Sequence, residues 1–147
     1  MVCSDRSDIG ALNHCAVVRR AESEVSKREI KIMDKVFITA RFLDIDKANL
    51  ATFKELAAHA IEDAKPVADT LSYDWFFNAD ETECVVLEAF ADSDALIAHS
   101  SHMTDLLPKM IGLSGSFEFE CYGNPSPALL DAISFPDGSV FTFHAGK

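Results

Sequence analysis

The chain has 147 residues, 48% of them hydrophobic, and a net charge of -11. That length suits one domain, and the apolar content is enough for a core, which excludes a disordered chain. An acidic surface repels phosphate backbones and anionic lipid, so neither nucleic acid nor a membrane surface is expected as a partner.

The charge is unevenly spread. Residues 1–32 hold six basic and five acidic side chains, and residues 33–147 hold seven and nineteen. This break predicts a loose N-terminal tail over residues 1–32 and a folded domain over residues 33–147. The tail shows no apolar period and no signal-peptide core, since Asp5, Arg6, Asp8, Asn13 and His14 interrupt it. Met33 is a candidate true start. No apolar run reaches the roughly 20 residues of a membrane span, and the expected location is the cytoplasm. Cys3, Cys15, Cys84 and Cys121 form no C-x-x-C pair, so they read as free thiols in a reducing compartment and no metal site is expected.

Val36 to Leu43 is β-branched and aromatic and reads as a strand. Leu50, Phe53, Leu56, Ala57, Ala60, Ile61 and Ala64 follow at spacings of three and four, which mark one face of a helix. Lys65-Pro66 ends it. A second strand runs from Leu71 to Phe77, with Leu71, Tyr73, Trp75 and Phe77 expected on one face. Asn78 to Thr82 is a polar loop of hairpin length, and Glu83 to Phe90 is the returning strand. Asp92 or Ser93 caps a second helix bearing Leu96, Ile97, His99 and His102. Leu106, Leu107 and Met110 suggest a separate turn around Pro108. Phe117, Phe119 and Cys121 alternate with Glu118, Glu120 and Tyr122, a strand with one wet face that suits a sheet edge. Ser126-Pro127 opens a short helix through Ile133, Pro136-Asp137-Gly138 turns, and Val140 to His144 is a last short strand.

The predicted fold is α+β: a ferredoxin-like β-α-β-β-α-β sheet with helices on one face, plus a C-terminal short helix and strand. Val36, Ile38, Ala40 and Phe42 line one face of the first strand, and Phe37, Thr39, Arg41 and Leu43 the other. In the third strand Cys84, Val86, Glu88 and Phe90 oppose Val85, Leu87 and Ala89. Both faces are largely apolar, so the helix-free face needs cover. A homodimer packed sheet to sheet is expected.

The run Glu88 to His102, E-A-F-A-D-S-D-A-L-I-A-H-S-S-H, resembles the antibiotic biosynthesis monooxygenase domain and the small quinol monooxygenases. A strand-ending glutamate, an aromatic two residues on, an Ala-Leu helix and two histidines match Glu88, Phe90, Ala95-Leu96, His99 and His102. Tyr73 to Phe77 resembles the family's second strand, and the resemblance covers roughly residues 33 to 122. It departs at Phe90, where tryptophan is common, and at the second histidine, which comes early. The haem-degrading branch uses an asparagine where Ala40 stands and a tryptophan where Phe90 stands, so haem degradation is not expected.

The resemblance implies a dimeric α+β barrel and a monooxygenase-like enzyme with no cofactor. It would oxidise a quinol or polyphenolic aromatic substrate with molecular oxygen. The protein then holds the ring, takes a proton and stabilises the anion. His99 is the expected base, against the plainer reading of a locally packed helix histidine. Glu88, a carboxylate on an apolar strand face, needs a partner: either a histidine it orients or Arg41 in an ion pair. Tyr73 and Trp75 offer a flat wall with a hydroxyl and an indole N–H, or else plain core. Phe90, His102 and Asn78 complete the expected substrate contacts. For Asn78 the rival role is turning the chain, and for His102 it is a solvated histidine. Phe135, Phe141 and Phe143 are expected to cover a core edge or the partner subunit, with closing the pocket as a lid as the rival use. The alternative function is a non-catalytic dimeric binding domain for a small aromatic or lipid-like ligand, and a third reading is an interaction protein with no pocket.

Overall fold

The computed structural model describes Arg19, Arg20, Glu24 and residues 33–147, and the chain divides into two units, Met1–Ile32 and Met33–Lys147. In the first, Arg19, Arg20 and Glu24 are helical and exposed, with Arg20 Nε 3.6 Å from Glu24 Oε1. The expected loose tail, the candidate start before the first strand, and Cys3 and Cys15 otherwise lie outside the described residues.

The second unit runs β1 (Val36–Leu43), α1 (Lys47–Ala64), β2 (Thr70–Phe77), β3 (Cys84–Phe90), α2 (Ser93–His102), α3 (Leu106–Gly112), β4 (Ser116–Gly123), α4 (Pro127–Ala132) and β5 (Val140–Phe141). The sheet order is β2-β3-β1-β4-β5. Its first four strands are antiparallel and β5 pairs parallel with β4. The expected ferredoxin-like α+β arrangement is therefore present. The C-terminal strand is shorter than Val140 to His144. β4 is not the sheet edge, because β5 pairs at Cys121 and Tyr122.

Local chemistry sets the element ends. Asp46 Oδ1 accepts from Ala48 N at 2.9 Å to cap α1, and Lys65 closes it before Pro66. Asp92 Oδ1 accepts from Ala95 N at 2.8 Å to cap α2, and Ser126 Oγ accepts from Leu129 N to cap α4. Pro108 sits in the first turn of α3, where no intrahelical N–H is needed, so a helix forms through it. Gly123 closes β4 at φ +125°, where a Cβ would stand 2.5 Å from the Lys35 carbonyl oxygen. Only glycine fits that approach.

Register decides the faces. Ile38 pairs with Glu88 and Cys121, Ala40 with Val86 and Phe119, and Phe42 with Cys84 and Phe117. These side chains face the helices. Phe42, Phe53, Phe90, Met110 and Leu129 are fully buried there, each worth about 1.5–3 kcal/mol of transfer free energy. Leu71 departs from the expected face. An irregularity between Thr70 and Ser72 breaks the alternation, and Leu71 is exposed. On the other face Phe37, Phe76 and Leu87 are 42%, 52% and 45% exposed.

Candidate active site

Strand parity turns Glu88 inward between Val86 and Phe90, so its carboxylate joins an apolar wall. Arg41 has the opposite parity and is exposed, so the expected Arg41 pairing does not form. The partner is instead His99. The Asp92 cap fixes the start of α2, and His99 comes two turns later, with Nε2 3.6 Å from Glu88 Oε2. The imidazole is nearly buried, at 9% exposure. Its ring packs against Tyr73 at 4.9 Å and Phe90 at 5.2 Å between centroids.

Burial sets the charge states. It pushes the Glu88 carboxyl up to about 8 and the His99 imidazole down to about 4, with His102 adding a smaller repulsion to the latter. Between those values the pair holds one proton and no net charge. Tyr73 is raised above the ordinary phenol range, first by burial and then by Glu88, and its hydroxyl donates to Met103 Sδ at 3.8 Å.

Glu88 and His99 open on a cavity of about 430 Å³. Phe42, Tyr73, Trp75, Phe117, Phe119 and Phe135 form its aromatic wall, and Leu96, Met103 and Leu107 contribute from the helix side. Trp75 Nε1 is buried in this wall without a hydrogen-bond partner among the described residues. A second, much smaller cavity of about 20 Å³ lies behind His99, lined by Thr70, Asp63 and His102 among others.

Glu88, His99, Tyr73 and Trp75 are thus gathered on one cavity. Phe90 backs His99 but does not line the cavity. His102 is exposed and borders only the small one. Asn78 is absent from both: its Oδ1 accepts from Thr82 N at 2.9 Å and Glu83 N at 3.0 Å, so the side chain builds the β2–β3 turn. No three His, Cys, Asp or Glu side chains gather as potential metal ligands among the described residues. Met103 and Leu107 were not expected in the wall, and Phe135 takes the place that was the rival reading for it. Alternation on β4 would have disclosed Phe117 and Phe119, but no local pattern marks Phe135, which reaches Phe119 at 5.3 Å.

No protein-family model matches the sequence, and neither does any curated protein sequence. Solved structures do match. MupZ from Pseudomonas fluorescens is similar at 21% identity and TM-score 0.67, over 78% of this chain and 88% of that one. A structure described as an antibiotic biosynthesis monooxygenase is similar at 20% identity and TM-score 0.55, over 63% and 99%. SnoaB, a cofactor-independent oxygenase from Streptomyces nogalater in a mutant form, is similar at 16% and 0.54, over 63% and 95%. The chain has the fold of the antibiotic biosynthesis monooxygenases. The sheet and helices of this chain frame the cavity, while Ala132 to Phe135, from the end of α4 onward, line one side of it. No helix among the described residues is long and apolar enough to cross a membrane.

Proposed function

We propose that the protein is a cofactor-independent monooxygenase-like enzyme that oxidises a quinol or polyphenolic ring with molecular oxygen. The observation that carries this reading is the Glu88–His99 pair on the wall of an aromatic-lined cavity large enough for a small ring system. At neutral pH burial leaves the His99 imidazole neutral, with a lone pair that faces the phenolic proton, and keeps Glu88 protonated, able to donate a hydrogen bond to the anion that forms. The dry wall strengthens any hydrogen bond to the resulting anion. An electron-rich phenolate passes one electron to oxygen, and the two radicals join at ring carbon. Proton return and loss of water complete the change. The balance is one quinol and one O₂ to one hydroxyquinone and one water. The solved oxygenase of similar fold supports this chemistry without a bound cofactor.

The reading includes a second copy of the chain, packed against the sheet face that carries Phe37, Phe76 and Leu87. Oxygen uptake with a panel of hydroquinones and naphthohydroquinones tests the activity. Turnover should occur with at least one, and His99→Ala should lower kcat/KM by about 100-fold or more, as loss of a general base does. No uptake across the panel, or an unchanged His99→Ala variant, overturns it. Saturable binding without oxygen consumption would favour the binding-domain reading.

A further inference from the structure

The mouth of the large cavity has two rims, and they are built unlike each other. Among the lining residues Ser101, Thr104, Ala132 and Ser134 are exposed, so the mouth lies between the end of α2 and the chain after α4. The α2 rim is tied down: Ser101 Oγ donates to the Ala98 carbonyl at 2.6 Å, and Thr104 Oγ1 to that of Ser101 at 3.0 Å. The other rim is loose. Ile133 N donates to the Leu129 carbonyl at 2.9 Å, and the next backbone donor with an acceptor among the described residues is Ser139 N. The amides of Ser134, Phe135, Asp137 and Gly138 between them have none. Exposed backbone with so few bonds sits at the low end of local stability.

Both ends of this segment are fixed. Leu129 is fully buried, and the Ser139 carbonyl accepts from Cys121 N at 2.8 Å, which holds it to β4. Gly138, beside the second anchor, has φ +75° and open space where a Cβ would stand. Glycine is free to turn there. Pro136 keeps Phe135 extended, so the segment does not wind into α4. The Phe135 side chain has two apolar seats. In one it lies on Phe119, with 5.3 Å between centroids and 46° between planes. The other is a surface groove of about 350 Å³, lined by Leu130, Pro136 and Val140 among others. Ile133, Ser134 and Phe135 line both groove and cavity, so one layer of side chains separates the two. Leu130 is 47% and Val140 36% exposed, apolar surface that an outward-turned Phe135 would cover.

We propose that residues 134–138 form a strap, hinged at Gly138, that gates the cavity: Phe135 lies on Phe119 in the closed state and swings into the surface groove to admit and release the ligand. This rests on the cavity being the substrate site. Closure over a bound ring shuts out water and so strengthens the hydrogen bonds to the anion formed inside.

The test follows 2,3-dimethyl-1,4-naphthoquinone into the full chain by stopped-flow fluorescence. This probe is neutral, its methyl groups block addition of thiols, and a quinone quenches indole emission at contact. Trp75 is the single tryptophan and lines the cavity, so quenching reports entry. Gly138 does not line the cavity, and Gly138→Ala removes no contact with the probe. Alanine disfavours the positive φ of the closed strap. Association and dissociation should therefore both quicken by about 5-fold. Kd should change by less than about 2-fold, because free and bound forms are both closed. Phe135→Ala, which deletes the latch, should quicken association as well as dissociation. Native rates in Gly138→Ala overturn the gate and leave the cavity as the binding site. Faster release with unchanged association in Phe135→Ala overturns it too, and makes Phe135 a plain wall contact. Quenching that never saturates overturns the cavity reading as well. Should Phe135→Ala fail to fold, Gly138→Ala, at an exposed turn, decides by itself.

Discussion

Glu88 and His99 share one dry wall, and the loss of water acts on them in opposite senses. Each is driven toward its neutral form, the acid upward and the base downward. The stability consequence follows from proton counting. Folded Glu88 keeps its proton from its ordinary value of 4.5 up to about 8, so its contribution to stability is present at low pH and is lost as pH rises through 8. Folded His99 gives up its proton early, so its contribution is present above 6.5 and is lost as pH falls through about 4. Below 6.5 the two slopes oppose one another. Between 6.5 and 8 only Glu88 is left, and stability should fall with pH by about 1.4 kcal/mol per unit. Glu88→Gln should flatten that limb, so that urea midpoints of variant and native protein diverge steadily from pH 6.5 to 8. Parallel profiles would mean a carboxylate–imidazolium pair, and the neutral pair would have to be abandoned.

A helix start places His99. Asp92 is extended and caps α2, and Ser93 Oγ accepts from Ser126 N at 2.9 Å, which ties the same turn to the start of α4. Asp92→Ala should cost about 1 kcal/mol, the usual worth of an N-cap, read as a lower thermal midpoint. Asp92→Ser should recover most of it, since a serine oxygen can accept the same bond. An Asp92→Ala variant as stable as the native protein would remove the cap from the account. The cap was legible in the sequence because a short acceptor before an apolar helical period is a local signal. The inward aim of Glu88, Tyr73 and Trp75 was legible because strand parity is local too. Leu71 was misplaced because an irregularity adds a residue that alternation cannot register. His102 was expected at the site from the family resemblance and Asn78 from its place at a strand end, but Asn78 is consumed by its turn and His102 faces solvent. The density of phenylalanine after α4 left Phe135 open between core edge, partner and pocket, since its place in the wall depends on the return of the chain.

At the scale of the molecule, the unsolved problem for this sheet is its helix-free face. Phe37 on β1, Leu87 on β3 and Phe76 on β2 are each about half exposed, and Phe141 stacks on Tyr122 at 5.2 Å on the neighbouring strands. Leu87 lies opposite Thr39 and Asp74 in register, and Phe37 opposite Ala89 and Tyr122. The apolar side chains therefore run across strands rather than along one edge. A net charge of -11 keeps separate molecules apart at long range. Salt at physiological strength screens that repulsion beyond about 8 Å, while apolar burial at contact does not weaken. A two-fold arrangement covers the patch with itself, and a stable interface needs about 800 Å² from each partner. The full chain should therefore sediment as a dimer at micromolar concentration. Leu87→Lys puts a charge in the middle of the patch and should give a monomer. Leu130→Lys changes an equally exposed leucine on α4 and should leave the dimer intact. A native chain that sediments as a monomer, or a Leu87→Lys variant that still pairs, would show that this face is covered in some other way.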